Sequence, residues 1–106
     1  MPELPTPVAD FQVDTSGETA VLRISGEVDI STAPQLRERL QQLDSRSVVV
    51  DLSAMTFIDS TGLGVLVGAF KRLRESGGDL VLRAPTRATR KVLELTGLSQ
   101  VVTIED

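Results

Sequence analysis

Val48-Val49-Val50-Asp51-Leu52, followed closely by Phe57-Ile58-Asp59-Ser60-Thr61-Gly62-Leu63-Gly64-Val65-Leu66-Val67-Gly68-Ala69-Phe70, is the stretch from which the fold is read. The first run is apolar almost throughout, as in a strand covered on both faces. The second opens with Asp59, Ser60 and Thr61, all suited to capping a helix N-terminus, and continues as an amphipathic segment to Gly77 and Gly78. A strand therefore feeds a helix through a polar junction. Gly62, Gly64 and Gly68 then occupy a predicted helix at a cost of ~1 kcal/mol each relative to alanine, so something other than helix stability favours them.

Projected at 100° per residue, Leu63, Leu66, Val67, Phe70 and Leu73 form one face, the i, i+3, i+4, i+7 stripe of a core-facing helix. The other face carries Thr61, Gly64, Val65, Gly68 and Arg72, where a helix serving only water would carry Glu, Lys or Gln. Two readings fit that smooth face. It is either a docking surface for a partner or a place where the glycines pack closely inside the domain.

Working outward, Phe11 and Val13 alternate with Gln12 and Asp14 as a first strand, Asp14 to Gly17 is a turn, and Ala20 to Ile24 make a second strand of a hairpin. Gly26 to Ser31 is a polar exit. A first helix follows, with Thr32 and Gln35 spaced as a capping box, Pro34 in the first turn, and Ala33, Leu36, Leu40 and Leu43 as its buried stripe. Beyond the central helix, Leu80 to Leu82 are a fourth strand. Pro85 and Thr86 open a third helix with Ala88, Val92 and Leu95 inward, Gly97 ends it with Leu98 packing back, and Val101, Val102 and Ile104 make a last strand. Residues 1 to 7, with Pro2, Pro5 and Pro7, read as a mobile extended tail, and the domain begins near residue 8.

The order β-β-α-β-α-β-α-β is that of a single α/β domain with a mostly parallel sheet after an opening hairpin. In such sheets the loops leaving the carboxyl ends of parallel strands gather along one edge. Asp29 leaves the second strand and Asp59 with Ser60 leave the third, so if those strands are parallel neighbours the three side chains share that edge.

Composition removes several kinds of chemistry. With 106 residues the chain buries very roughly two-thirds of its unfolded surface. It has no cysteine and no histidine, hence no thiol nucleophile, no imidazole base and no thiolate or histidine zinc site. No metal and no cofactor is expected, and an enzyme is the weakest of the function classes. A net charge of -4 argues against nucleic acid and against an anionic membrane surface, and no apolar run approaches the ~20 residues that span a bilayer. A soluble cytoplasmic protein is the expectation. Two decoys remain. Gly62, Gly64 and Gly68 approach the dinucleotide-binding fingerprint, but residues 53 to 61 intervene after the strand and Val67 takes the sixth position. Arg83, Arg87, Arg90 and Lys91 form a basic cluster that reads as a solvated face.

Gly26-Glu27-Val28-Asp29, Thr32-Ala33, Val49-Val50-Asp51-Leu52, Phe57-Ile58-Asp59-Ser60-Thr61-Gly62-Leu63-Gly64 and Thr96-Gly97-Leu98 together resemble the STAS domain of bacterial anti-sigma factor antagonists, over nearly the whole chain from about residue 8. The resemblance implies that the unphosphorylated protein binds an anti-sigma factor that is also a serine kinase, freeing the sigma factor. It also implies that the kinase phosphorylates Ser60, that a phosphatase reverses this, and that Asp29 supports partner binding and phosphorylation. The predicted partner-binding set is Asp29, Asp59, Ser60, Thr61, Gly64, Val65, Gly68 and Arg72, on a protein expected to act as a monomer. These domains usually end in a fourth helix, which is expected to be missing here, leaving Val101 and Val102 uncovered. The alternative is a STAS subunit serving a lipid or anion transporter.

Overall fold

A computed structural model describes residues 9–106, and the proline-rich segment 1 to 7 lies outside the described residues. The elements are β1 (Ala9–Ser16), β2 (Thr19–Val28), α1 (Ala33–Gln42), β3 (Ser47–Ile58), α2 (Ser60–Glu75), β4 (Asp79–Arg83), α3 (Arg87–Leu95), a 3-10 turn (Leu98–Gln100) and β5 (Thr103–Glu105). The five strands lie side by side in chain order. β1 runs antiparallel to β2, and every later pair is parallel. The fold class is therefore the one expected.

Sequential order has a consequence for layering. Each parallel connection turns in the same right-handed sense, so α1, α2 and α3 all fall on one face of the sheet. Their buried residues, Leu36, Leu40, Leu63, Leu66, Phe70 and Leu93 among them, share one core with Leu22, Ile24, Val48, Val50, Leu52, Leu80 and Leu82. The opposite face carries no helix among the described residues. Across it, paired residues run Gln12, Arg23, Asp51, Arg83 and Glu105 in one row and Val21, Val49 and Val81 in the next. Among the described residues β3 is thus covered by helices on one face only, although Val48 to Leu52 are all buried. Val49 is buried between its strand neighbours instead, and Asp51 is held by an ion pair to Arg23 at 3.4 Å and hydrogen bonds from the Ser53 N–H and hydroxyl.

β3 is also longer than its apolar run. Against β2 it carries an extra residue between Asp51 and Ala54 and another between Met55 and Phe57. Each bulge flips the inward parity, so Met55 and then Ile58 return to the core while the alternation along the sequence is broken. Its last pair with β4 joins Asp51 to Arg83, so Ser53 to Ile58 project past β4 with β2 as their neighbour. The site is built on that projecting end.

Three expectations about the helices need correction. The hydroxyl of Thr32 does not cap α1: it accepts from the Asp29 N–H at 2.9 Å and donates to the Glu27 carbonyl at 3.0 Å, closing the strand end instead. Val65, placed on the outward face of α2, is only 5% exposed. Because α2 packs on α1 as well as on β3 and β4, its buried stripe widens to Gly62, Leu63, Val65, Leu66, Ala69 and Phe70, and Val67 is left half-buried. In α3 the inward residues are Thr89 and Leu93, with Val92 half-buried, while Ala88 is exposed and Leu95 is 78% exposed. Gly97 ends that helix region with φ 79°, and Leu98 packs on the core as expected. Val101 is exposed but Val102 is buried within the domain, not uncovered. Of the basic cluster, Arg83 pairs with Glu105 at 2.7 Å and Arg90 with Asp106.

Candidate functional site

The register of β2 on β3 pairs Val28 with Ile58, so Asp29 and Asp59 are the next residues on two hydrogen-bonded parallel strands. The Asp59 N–H donates to the Val28 carbonyl at 3.1 Å, which extends the ladder to the site itself. The expected shared edge is present.

Each aspartate then starts a helix in a similar way. Asp29 Oδ1 accepts from the Ser31 N–H at 2.9 Å, the Ser31 hydroxyl at 2.7 Å and the Thr32 N–H at 3.2 Å, and its carbonyl accepts from Ala33 at 2.7 Å. Asp59 Oδ1 accepts from the Gly62 N–H at 3.0 Å, and its carbonyl accepts from Leu63 at 3.0 Å. The Asp59 carboxylate thus satisfies an amide that the start of α2 leaves without an intrahelical partner, while that of Asp29 closes the turn that leads into α1. In both carboxylates Oδ2 has no partner among the described residues and remains available. The Ser31 hydroxyl, followed by the Ser31 and Thr32 amides, outweighs desolvation and holds the Asp29 carboxyl below its usual range, so it is an anion at neutral pH.

Ser60 is the first residue of α2. Its side chain is exposed and its hydroxyl has no hydrogen-bond partner among the described residues, so the oxygen is free to react. Thr61 is half-buried and Gly64 exposed on the next turn. A Cβ built at Gly64 or Gly68 meets nothing within 4 Å, whereas one at Gly62 would lie 2.7 Å from Val28 Cγ1 and 2.8 Å from Ile58 Cγ1. The two readings of the glycines therefore divide: Gly62 packs inside, and Gly64 and Gly68 face outward. Arg72 is exposed, about 18 Å along the helix from Ser60. Asp29, Asp59, Ser60, Thr61 and Gly64 are thus gathered at one end, Gly68 and Arg72 continue the surface down α2, and Val65 leaves the set.

Only Asp59 separates β3 from α2, so the supposed gap of residues 53 to 61 does not exist. The dinucleotide fingerprint fails on other grounds. The Asp59 carboxylate already occupies the Gly62 amide, and Gly62 lies against Val28 and Ile58 where a fingerprint glycine would admit a pyrophosphate.

The family model of the STAS domain matches residues 10–106. The chain belongs to the STAS domain family. This STAS domain is 40% identical over 86 residues to the anti-sigma-B factor antagonist of Listeria monocytogenes, an alignment covering 78% of this chain and 75% of that protein. It is similar in structure to an anti-sigma factor antagonist from Mycobacterium paratuberculosis, with TM-score 0.84, 30% identity, and 96% and 90% of the two chains covered. It is also similar to the anti-sigma factor antagonist SpoIIAA in its unphosphorylated form, with TM-score 0.77, 27% identity, and 90% and 87% covered. SpoIIAA, described as a Bacillus cell fate determinant, also has a solved phosphorylated form, with TM-score 0.72 and 27% identity over 90% of each chain. No helix among the described residues is long and apolar enough to cross a membrane.

Sequence reasoning passed over two residues at this end of the sheet. Ile30, within what reads as a polar exit, is 75% exposed, and Phe57 is 47% exposed. The available signal for Ile30 was a β-branched apolar residue in a turn, where neither packing nor propensity favours it.

Proposed function

We propose that this STAS domain is an anti-sigma factor antagonist: its unphosphorylated form binds an anti-sigma factor that is also a serine kinase and so releases the sigma factor, and phosphorylation of Ser60 ends the binding. The observation that carries this is an exposed Ser60 hydroxyl, without a partner among the described residues, at the start of α2, beside Asp59 and on the same sheet edge as Asp29. The relatives' names favour it over a transporter subunit. The protein acts as a monomeric binding module in the cytoplasm, not as an enzyme, and a phosphatase resets it. The domain that does this runs from about residue 8 to 106.

The switch follows from charge. A phosphate on Ser60 adds about -1.5 to -2 charge, which the amide dipoles at the start of α2 tolerate within the domain. No Lys or Arg occurs in residues 24 to 36 or 47 to 70, so neither segment at this edge offers a cation to neutralise it. In a complex the same dianion adds like-charge repulsion from Asp29 and Asp59 and a large desolvation cost. Release therefore needs no refolding. The interface takes in Asp29, Asp59, Ser60, Thr61, Gly64, Gly68 and Arg72.

The test is phosphate mapping and binding with the purified anti-sigma factor of the source organism. Ser60→Ala binds and cannot be switched off, and Ser60→Asp binds more weakly. Phosphate found only on Thr61, or on neither residue, overturns the assignment.

A further inference from the structure

We infer that Ile30 and Phe57 are the apolar anchors of the contact around Ser60, and that they fit an anti-sigma factor surface with an apolar hollow and neutral hydrogen-bond donors at its rim. This rests on the reading of Ser60 as the switch.

Both residues lie at the projecting end of the sheet. Ile30 directly follows Asp29, and Phe57 stands two positions before Asp59, with Ile58 of the Val28 and Ile58 pair between them. Phe57 pairs with Glu27 next to the bulge at Thr56, and since Ile58 points into the core, Phe57 points away from it. Neither exposure is required by the fold. The turn that carries Ile30 is held by the bonds of Asp29 to Ser31 and Thr32, in which the Ile30 side chain takes no part. Those same bonds fix the turn, so Ile30 is presented on a preorganised support and loses little freedom on binding.

The chemistry of the occupant follows from the surroundings. Glu27, Asp29 and Asp59 make this end acidic, and the two stretches without Lys or Arg give it nothing to pair with an acidic partner. A strongly cationic partner surface would attract a Ser60 phosphate and make phosphorylation strengthen the complex. A dry apolar contact does the opposite, because a dianion buried there loses its hydration without compensation. The Oδ2 atoms of Asp29 and Asp59 then serve orientation by accepting bonds from uncharged donors. Ile30 and Phe57 thus explain both the affinity of the unphosphorylated form and its loss.

The experiment titrates the unphosphorylated protein with the purified anti-sigma factor at low and high salt, alongside thermal unfolding of each variant. Ile30→Ser and Phe57→Ala each weaken binding at least about tenfold, through faster dissociation and equally at both salt concentrations. Ile30→Leu keeps the affinity, and the Tm of Ile30→Ser stays near that of the unsubstituted protein. Phe57→Leu serves as the folded comparator should Phe57→Ala unfold, with an intermediate loss expected. If Ile30→Ser and both Phe57 variants bind like the unsubstituted protein, or if binding weakens steeply with salt and ignores Ile30, the inference is overturned while the reading of Ser60 stands. If the unsubstituted protein does not bind the anti-sigma factor, or Ser60→Asp binds equally well, both fall together.

Discussion

The three helical glycines of α2 give a prediction in which helix propensity largely cancels. Replacing any of them with alanine gains up to ~1 kcal/mol of propensity, less at Gly62 in the first turn. What separates the positions is packing. At Gly62 the new methyl would sit 2.7 Å from Val28 Cγ1 and 2.8 Å from Ile58 Cγ1, and both partners are buried in the core. Neither is the free end of a flexible side chain, so α2 must shift or two β-branched rotamers must strain, at about 1–3 kcal/mol for an overpacked core. At Gly64 and Gly68 the methyl meets nothing within 4 Å. Gly62→Ala should therefore be less stable than Gly68→Ala by about 1–3 kcal/mol, with Gly64→Ala and Gly68→Ala at or slightly above the parent protein. For a domain of this size each kcal/mol corresponds to about 4–8 °C in Tm. Urea unfolding with a common slope is the assay, and three alanine variants of equal stability would refute the packing argument. The same geometry lets Gly68→Gln stay folded, so a stable Gly68→Gln with lost anti-sigma factor binding identifies the outward face as interface. Normal binding by that variant excludes it.

Two further outcomes concern the aspartates. Burial raises the Asp51 pKa, but bonds from the Ser53 amide and hydroxyl and the Arg23 guanidinium outweigh it and leave the value lowered. A depressed folded pKa contributes stability that is present above the unfolded value near 4 and is lost as pH falls through the folded value. Asp51→Asn should thus cost about 1 kcal/mol at neutral pH, and its gap from the parent should close in acid, as followed by denaturation at a series of pH values. Asp29→Asn should remain folded at neutral pH yet bind the anti-sigma factor more weakly and be phosphorylated more slowly, since the variant offers a neutral amide where the partner and kinase meet a carboxylate. Global unfolding of Asp29→Asn, seen by circular dichroism, would make that residue structural only.

How much was legible in the sequence depends on the range of the interaction. The element order, the Asp59 cap on α2 and the meeting of Asp29 with Asp59 all follow from local signals plus the topology of parallel sheets, and all are present. The length of β3 was not legible, because its two bulges put Ser53-Ala54 and Thr56-Phe57 out of alternation and only the partner strand reveals the register. Val65 was misplaced for a related reason. A helical wheel assumes one buried side, and α2 has two neighbours to pack against. The Thr32 cap was read from a spacing that fits, but the Thr32 hydroxyl is taken up by the Asp29 N–H and the Glu27 carbonyl, and the Gln35 N–H bonds the Thr32 carbonyl instead. That one face of the sheet carries no helix among the described residues depends on strand neighbours in space, which a list of elements does not contain.

The duplicated helix start bears on which hydroxyl is modified. Ser31 and Ser60 both follow an aspartate at the end of paired strands, both are exposed, and both lie on the acidic edge. They differ in one bond. The Ser31 hydroxyl donates to Asp29 Oδ1 at 2.7 Å, which turns its side chain back onto that carboxylate instead of outward toward an incoming phosphoryl group. A phosphate on Ser31 would also force a dianion against the carboxylate that its hydroxyl now serves. Ser60 has neither obstacle: its hydroxyl has no partner among the described residues, and Asp59 Oδ1 is committed to the Gly62 amide instead. The extra residue that makes the difference is Ile30, which spaces Ser31 two positions from Asp29 so that its hydroxyl folds back, whereas Ser60 follows Asp59 directly and projects from the helix end. Ile30 then acts twice in the proposed switch, as an apolar anchor and as the spacer that keeps the first loop's serine out of the reaction.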